Sequence, residues 1–483
     1  MVKMRHFLVA SLLLASFTGF SQTDFEAFKK QRRQDFKNFV EARDRDFAKF
    51  VKNRWEEMQL MEAERRLLTP KPEVVPTFQD VPGAVDDPVN LSTKPIGVPT
   101  VKPPVMVPTV PEEKPKKTPD PDPKSMVNSD FSFYGQTVSW STLPLPEMKW
   151  GSSEAEVSEA WMKLAAWYEV AEPLDLIEVE VASKNLNDWG AFQMIRKMSE
   201  QLTSDGNGQR VVTVFLASKM GYDCKLARSQ NQLLVLVNFS EKVYDYSFLK
   251  FEGMSFYIME PKTRYSNEIY SYPNAYSESA RSMSLAMDEN PNLGGGLRVR
   301  KLSFVYKGTP YSFEVPYSPS LTAFLDEIPP VDIVNYFGQS IPEESASALD
   351  KALIPILSNM SKEEGVAFLL HMTQLSFEYE TDQDQFGREK YFYPVEILAY
   401  PYADCEDRSI FYSWMVRRYL RLDVVGLDYP GHISTAVNID LQGDYFMING
   451  KKYVACDPTY INAGPGLTQP NYRDEAADII WIK

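Results

Sequence analysis

The chain has 483 residues, of which 44% are hydrophobic and 13% aromatic, enough for two or three packed cores. Its 66 acidic residues exceed the 51 basic ones, which gives a formal net charge of -15. No basic stripe with interleaved aromatic residues is present to follow a phosphate backbone, so nucleic acid is excluded as an expected partner.

Residues 1–21 have the pattern of a secretory signal peptide. Lys3 and Arg5 supply the charged start, an apolar run extends from Phe7 to Phe17, and small residues before Gln22 form a cleavage site. The apolar run is too short to span a bilayer and no later segment is long enough. The sequence therefore predicts an exported protein, periplasmic or extracellular, with no membrane span in the mature chain.

Residues 22–68 contain an 11-residue repeat of the form Asp-Phe-x-x-Phe. Copies begin at Asp24, Asp35 and Asp46, and a weaker one at Glu57. Eleven residues correspond to about 3.67 per turn, so the Phe pairs form one stripe along a predicted amphipathic helix. We expect the stripe to pack on the protein's own domain, to self-associate or to bind a protein partner. Its nearly neutral polar face argues against docking on a membrane surface.

Residues 69–125 form a proline-rich linker, with 15 of the chain's 34 prolines. Proline removes backbone donors and favours extended conformations, so the linker is predicted to be semi-rigid and to lack a core. We expect it to hold the striped helix apart from the remainder of the chain.

An internal repeat follows the linker. Val211–Phe239 aligns without gaps with Phe411–Ile439, and Glu260-Pro261 aligns in a second block with Asp457-Pro458. A chance match of two helix-then-strand units is the alternative, but we interpret the repeat as a duplication. The predicted α+β architecture then has a first unit over residues 126–262, a β-rich connecting region over 263–345 and a second unit over 346–483.

Cys405 has the sequence context of a reactive thiol at a helix start. Asp404 is a predicted N-cap, and Asp407 completes a capping box three residues later. In the first turn of a helix, the dipole and the free amide groups stabilise a thiolate. Because the neighbouring carboxylates oppose this effect, the thiolate needs a cationic partner.

His432 is the candidate partner, since His6 lies in the signal peptide and His371 on an upstream helical pattern. It opens an alternating strand, whereas Asp457 ends another strand. They can meet only if these strands run antiparallel. Such a set of nucleophile, base and orienting carboxylate is the general arrangement for an activated thiol.

Three motifs in this region resemble those of the bacterial exported transglutaminase-like proteins. They are Asp404-Cys405-Glu406-Asp407-Arg408-Ser409, Tyr429-Pro430-Gly431-His432 and Cys456-Asp457-Pro458-Thr459-Tyr460. The resemblance covers about residues 350–472 and implies a papain-like α+β catalytic domain. It also implies that Cys405 accepts the acyl group, that His432 is the base and that Asp457 orients it.

The expected chemistry is acyl transfer from a peptide or amide through a Cys405 thioester, with water favoured over an amine as acceptor. The oxyanion donor is undefined apart from the Cys405 amide, with Tyr400 and Tyr402 as guesses. We expect Cys456 and Cys224 to serve packing. No cofactor is indicated and no cluster of metal ligands is apparent.

The first unit is predicted to be a degenerate copy. Asp205, Gln232 and Glu260 stand where the second unit has its thiol, imidazole and carboxylate. A rival hypothesis from another class is a non-enzymatic exported adaptor, which would use the Phe-striped helix and the paired units as binding surfaces.

Overall fold

The computed structural model describes residues 41–64, 74–79, 126–171, 173–277 and 280–482. The predicted signal peptide, the first two copies of the Phe repeat and most of the proline-rich linker lie outside these ranges. Helices and sheets both build the described part, in keeping with the α+β class. None of its helices combines the length and apolarity needed to cross a membrane.

The secondary structure of the described residues divides into strands and helices, each numbered in chain order. The strands are β1 (Glu56–Met58), β2 (Val74–Gln79), β3 (Val127–Phe133), β4 (Gln136–Thr142), β5 (Cys224–Ser229), β6 (Gln232–Asn238), β7 (Phe248–Phe251), β8 (Met254–Ile258), β9 (Ile269–Ser271), β10 (Arg298–Tyr306), β11 (Thr309–Tyr317), β12 (Val424–Tyr429), β13 (His432–Val437), β14 (Tyr445–Ile448), β15 (Lys451–Cys456), β16 (Ile461–Ala463) and β17 (Asp478–Trp481). The α-helices are α1 (41–51), α2 (Glu154–Ala171), α3 (Pro173–Lys184), α4 (Asp188–Leu202), α5 (Gly206–Lys219), α6 (Pro319–Glu327), α7 (Val334–Phe337), α8 (Glu343–Leu357), α9 (Lys362–Ser376), α10 (Asp382–Phe386) and α11 (Cys405–Met415).

The first unit is built on an antiparallel sheet with strand order β1-β9-β5-β6-β8-β7. Helix α5 begins where Asp205 accepts hydrogen bonds from the N–H groups of Asn207 and Gly208. Its residues Phe215 and Leu216 are fully buried in the core. The helix therefore covers one face of the sheet.

The second unit is built on an antiparallel sheet with strand order β14-β15-β13-β12-β17. Helix α11 packs on β12 and β13 and is buried along its whole length. Because the helix is enclosed on all sides, the position of its first turn is fixed. Cys405 is the first residue of that turn.

The two sheets share one frame. The β5–β6 pairing has the register of the β12–β13 pairing 200 residues later, and the β7–β8 pairing has that of β14–β15 at an offset of 197. Asn238 and Asn438 each donate a side-chain N–H across the sheet, to the carbonyls of Ser255 and Lys452 respectively. The residues aligned from the sequence therefore occupy equivalent positions in the two sheets.

The predicted helix over residues 22–68 is wrong at its C-terminal end. Helix α1 ends at residue 51, and β1 then pairs with β9. Phe47 of the repeat is buried, and its ring centroid lies 4.6 Å from that of Trp161. A buried ion pair of 2.7 Å joins Asp44 to Lys219. This segment is thus part of the first unit rather than separated from it, because its aromatic stripe finds an apolar surface there.

The predicted connecting region, residues 263–345, is not a separate body. Strand β9 completes the first sheet, whereas the β10–β11 hairpin packs on helix α9 of the second unit. Phe304 of the hairpin packs against Phe368, with ring centroids 5.4 Å apart. His371 of α9 forms a 2.9 Å hydrogen bond with the carbonyl of Val305, which gives this histidine a structural role.

Candidate active site

Cys405 lies at the start of a buried helix, as predicted. Asp404 precedes the helix with extended backbone, and its N–H donates to Oδ2 of Asp407 at 3.4 Å, as the predicted capping box requires. The backbone N–H of Ile433 donates to Cys405 Sγ at 3.3 Å. The sulfur therefore lies beside the residue that follows His432.

His432 and Asp457 form a buried pair. Nε2 of His432 lies 2.9 Å from Oδ2 of Asp457, and both side chains are at most 5% exposed. The antiparallel arrangement on which the pair depends is confirmed, because Thr435 of β13 pairs with Cys456 of β15. The three predicted residues are thus brought together at one end of the second sheet.

The Asp457 carboxylate is held in its ionised form. Burial alone would raise its pKa, but the neighbouring His432 and hydrogen bonds from Thr459 lower that pKa below its usual range. Oδ1 accepts from the N–H and the hydroxyl of Thr459, at 2.9 and 2.7 Å, and from the N–H of Tyr460. This leaves Oδ2 directed at the imidazole.

Gln469 and Tyr472 also contact the pair, and the sequence did not indicate them. Nε2 of Gln469 donates to Oδ2 of Asp457 at 2.8 Å and lies 3.3 Å from Nε2 of His432. The Tyr472 ring stacks on the imidazole, with centroids 4.6 Å apart and planes at 24°. Gln469 lies just before a short 3-10 helix, Pro470–Tyr472, that follows β16, and no hydrophobic periodicity or motif marks either residue.

The thiol of Cys405 is protonated in its resting environment. Burial and the charges of Glu406 and Asp404 raise its pKa well above the usual range, and Sγ lies 3.0 Å from Oε2 of Glu406. Burial and these negative charges outweigh the stabilisation of the thiolate that was expected from the helix start. The thiol therefore needs a base to remove its proton.

Arg408 does not supply the missing positive charge at the thiol. Its buried guanidinium donates to the carbonyls of Ala403, Gln374 and Phe377. These bonds tie the chain before α11 to helix α9 and its C-terminal end. The role of Arg408 is therefore to position the helix start.

Buried carboxylates cluster behind the thiol, contrary to the expectation that no metal-ligand cluster exists. Asp382 forms one group with Glu389 and Glu406 and another with Asp404 and Asp407, and within each group one carboxylate oxygen from each residue lies within 4.8 Å of the others. Carboxylates are ligands that hard cations such as Ca²⁺ and Mg²⁺ prefer. Among the described residues, either of these groups of three could hold such an ion. The sequence did not reveal the cluster because Asp382 and Glu389 are distant from the motif.

Tyr400 and Tyr402, the tyrosines named beside the Cys405 amide as oxyanion donors, remain a prediction, and both make contacts within the protein. The Tyr400 ring stacks on Phe392, with centroids 4.8 Å apart, and the backbone N–H of Tyr402 donates to Gln385. The partners of the Cys405 thiol are Glu406 and the backbone of β13.

The other two cysteines are buried and unpaired, as expected for packing roles. Cys456 lies on β15 with its side chain enclosed, and burial raises the pKa of its thiol to about 12. Burial raises the pKa of Cys224 as well, and its register position in the first sheet is that of Val424 in the second.

An ion pair occupies the equivalent place in the first unit. Nε of Arg210 donates to Oε1 of Glu260 at 2.8 Å, and the backbone N–H of Val235 donates to the other oxygen. The side-chain amide of Gln232 is oriented so that both its nitrogen and its oxygen form hydrogen bonds. In this orientation its oxygen accepts from Arg210 at 2.9 Å. Burial raises the pKa of Glu260. Neither a thiol nor an imidazole takes part in this network.

Comparison with known proteins gives no match to a family model, a curated protein or a solved structure. The functional interpretation of the site therefore rests on the residues and their geometry.

Proposed function

We propose that this protein is an exported, transglutaminase-like thiol enzyme that transfers acyl groups from peptides or amides through a thioester on Cys405. The observation that carries the proposal is the buried 2.9 Å contact between His432 and Asp457, next to a thiol at a helix start. Buried ionisable groups aligned in this way are typical of nucleophile activation. Export rests on the charged and apolar pattern of residues 1–21.

The proposed reaction uses the ring nitrogen that Asp457 leaves available. Nε2 of His432 is bonded to Asp457, so Nδ1 accepts the proton of the Cys405 thiol as sulfur attacks the carbonyl carbon. His432 then donates this proton to the leaving amine, and the thioester remains. Asp457 stabilises the transient imidazolium, which is why its ionised state matters.

Water is the proposed acyl acceptor in preference to an amine. In the second half-reaction His432 takes a proton from water, whose oxygen attacks the thioester, and the proton returns to sulfur as the carboxylic acid leaves. Hydrolysis needs no second substrate site, which makes it the smaller demand on the structure. Label incorporation from a primary amine into a glutamine-containing peptide, with little hydrolysis, would contradict this choice.

We further propose that the second unit is the papain-like catalytic domain and that the first unit is its degenerate copy. The shared sheet frame supports a common origin. The Arg210–Glu260 ion pair supports the loss of chemistry, because Glu260, at the position of the carboxylate, pairs with an arginine, while Gln232 stands at the position of the imidazole.

Labelling with a thiol-reactive amide probe tests the function. The native protein should be labelled at Cys405, as located by mass spectrometry, and a His432→Ala variant should not. Gln232→Ala is the matched control, since it alters the equivalent position of the first unit and should leave labelling unchanged. Equal labelling of the native and His432→Ala proteins would favour the non-enzymatic adaptor.

A further inference from the structure

Strand β16 lies directly after the turn that carries Asp457. Gln374 fixes this segment from helix α9: its Nε2 donates to the carbonyls of Tyr460 and Ala463, at 2.9 and 3.0 Å, and its Oε1 accepts from the N–H of Asn462 at 3.2 Å. The same Nε2 donates to the Asp457 carbonyl at 3.1 Å. The position of β16 is therefore coupled to that of the candidate catalytic carboxylate.

The partner of β16 comes from the proline-rich linker. Among the described residues, β16 pairs with no strand of the second sheet but with β2, Val74–Gln79, which runs parallel to it. Ile461 pairs with Val74 and Ala463 with Gln79, with a register shift between the two pairs. A segment far away in the sequence thus covers the edge next to the site.

We infer that the β16 edge is a docking site for an extended segment of a polypeptide substrate, and that β2 occupies it within the chain. An edge strand presents backbone N–H and C=O groups that any extended peptide can satisfy, and strand addition of this kind is a recurring mode of peptide recognition. Strand β2, which occupies the edge in this chain, has this extended conformation. That the docked polypeptide is the substrate rests on the proposed function; the docking itself does not.

A pair of proline substitutions can vacate the edge in the full chain. Val75→Pro and Thr77→Pro, together with the native Pro76, give three consecutive residues without a backbone N–H. The matched control is Val105→Pro/Val107→Pro, which changes two valines elsewhere in the linker. The probe is a fluorescent peptide with the sequence of residues 72–82, measured by anisotropy.

The Val75→Pro/Thr77→Pro variant should bind the probe at least about tenfold more tightly than the native and control proteins, whose tethered strand competes at high effective concentration. Amide hydrogen exchange at Ile461, the residue of β16 that pairs with Val74, should be faster in this variant and slow again when the peptide is added. The N–H groups of Asn462 and Ala463 donate to Gln374 and to the Tyr460 carbonyl, so they serve as internal references. A probe carrying the same two prolines should not bind.

Two results would overturn the inference. Unchanged exchange at Ile461 would show that β2 does not cover the edge, and faster exchange there without peptide binding would show that the edge is no docking site. All measurements are repeated on Cys405→Ala, which lacks the thiol. Binding there separates a failure of docking from a failure of the proposed chemistry.

Discussion

The first and second units differ at the positions where chemistry is expected, although their strand order and register agree. In the second unit His432 and Asp457 adjoin a thiol, whereas in the first Arg210 and Glu260 form an ion pair. In both units the carboxylate at the equivalent position has hydrogen-bond partners, His432, Thr459 and Gln469 for Asp457 and Arg210 and Val235 for Glu260. The comparison teaches that this frame requires a compensated carboxylate at this position, but not a particular chemistry.

The largest expected effect is on the rate of Cys405 acylation, when His432 of the second unit is replaced by glutamine, the residue at the equivalent position of the first unit. His432→Gln, which copies Gln232, removes the proposed base and should lower the rate of Cys405 acylation by about 10²–10⁴-fold. Stopped assays with an amide substrate or the thiol probe measure this rate. The converse change, Gln232→His, should create no activity because the first unit has no thiol at its helix start. A native rate in His432→Gln would contradict the assignment of the base.

Breaking the ion pair tests how the first unit tolerates its largely enclosed carboxylate. Arg210→Met leaves Glu260 without its paired cation and should lower the free energy of unfolding by about 1–3 kcal/mol near neutral pH. Urea unfolding measures the change. Adding Glu260→Gln should recover part of the loss, because the uncompensated charge is then gone. If Arg210→Met alone is as stable as the native protein, the ion pair contributes nothing to the free energy of unfolding.

The N-terminal segment distinguishes the first unit from the second, and Phe47→Ala tests its contribution. Phe47 is 6% exposed and packs against Trp161 and Tyr276, so truncation should cost about 3–5 kcal/mol in urea unfolding. Phe50→Ala is the comparison, since Phe50 is only partly buried and should cost less. Equal costs would show that the stripe is not oriented towards the core as described.

Local signals in the sequence were sufficient for the thiol, the imidazole and the carboxylate. Asp404 before a helical pattern located Cys405, and alternating strands located His432 and Asp457. Antiparallel pairing then followed from the requirement that the last two meet.

Features that depend on tertiary packing were not predictable in this way. Gln469 reaches Asp457 from irregular chain, and Asp382 joins the carboxylate cluster from another helix. The helix predicted to residue 68 ends at residue 51 because β9 offers β1 a sheet edge, which overrides the 11-residue pattern. Periodicity indicates which face is apolar but not where a neighbouring element ends the helix.

The smallest expected effect is a pH dependence of opposite sign at the two equivalent carboxylates. The folded-state pKa of Asp457 is lowered, so its contribution to stability is present above the unfolded pKa of about 3.9 and is lost as pH falls through the folded value. The folded-state pKa of Glu260 is raised, so its contribution is largest in acid and declines as pH rises above the unfolded pKa of about 4.3. Melting temperatures of Asp457→Asn and Glu260→Gln, each compared with the native protein from pH 3 to 7, measure the two trends. The gap between native and variant should widen with rising pH for Asp457 and narrow for Glu260. Parallel trends would mean that the two carboxylates sit in equivalent electrostatic environments, and the contrast drawn between the units would fail.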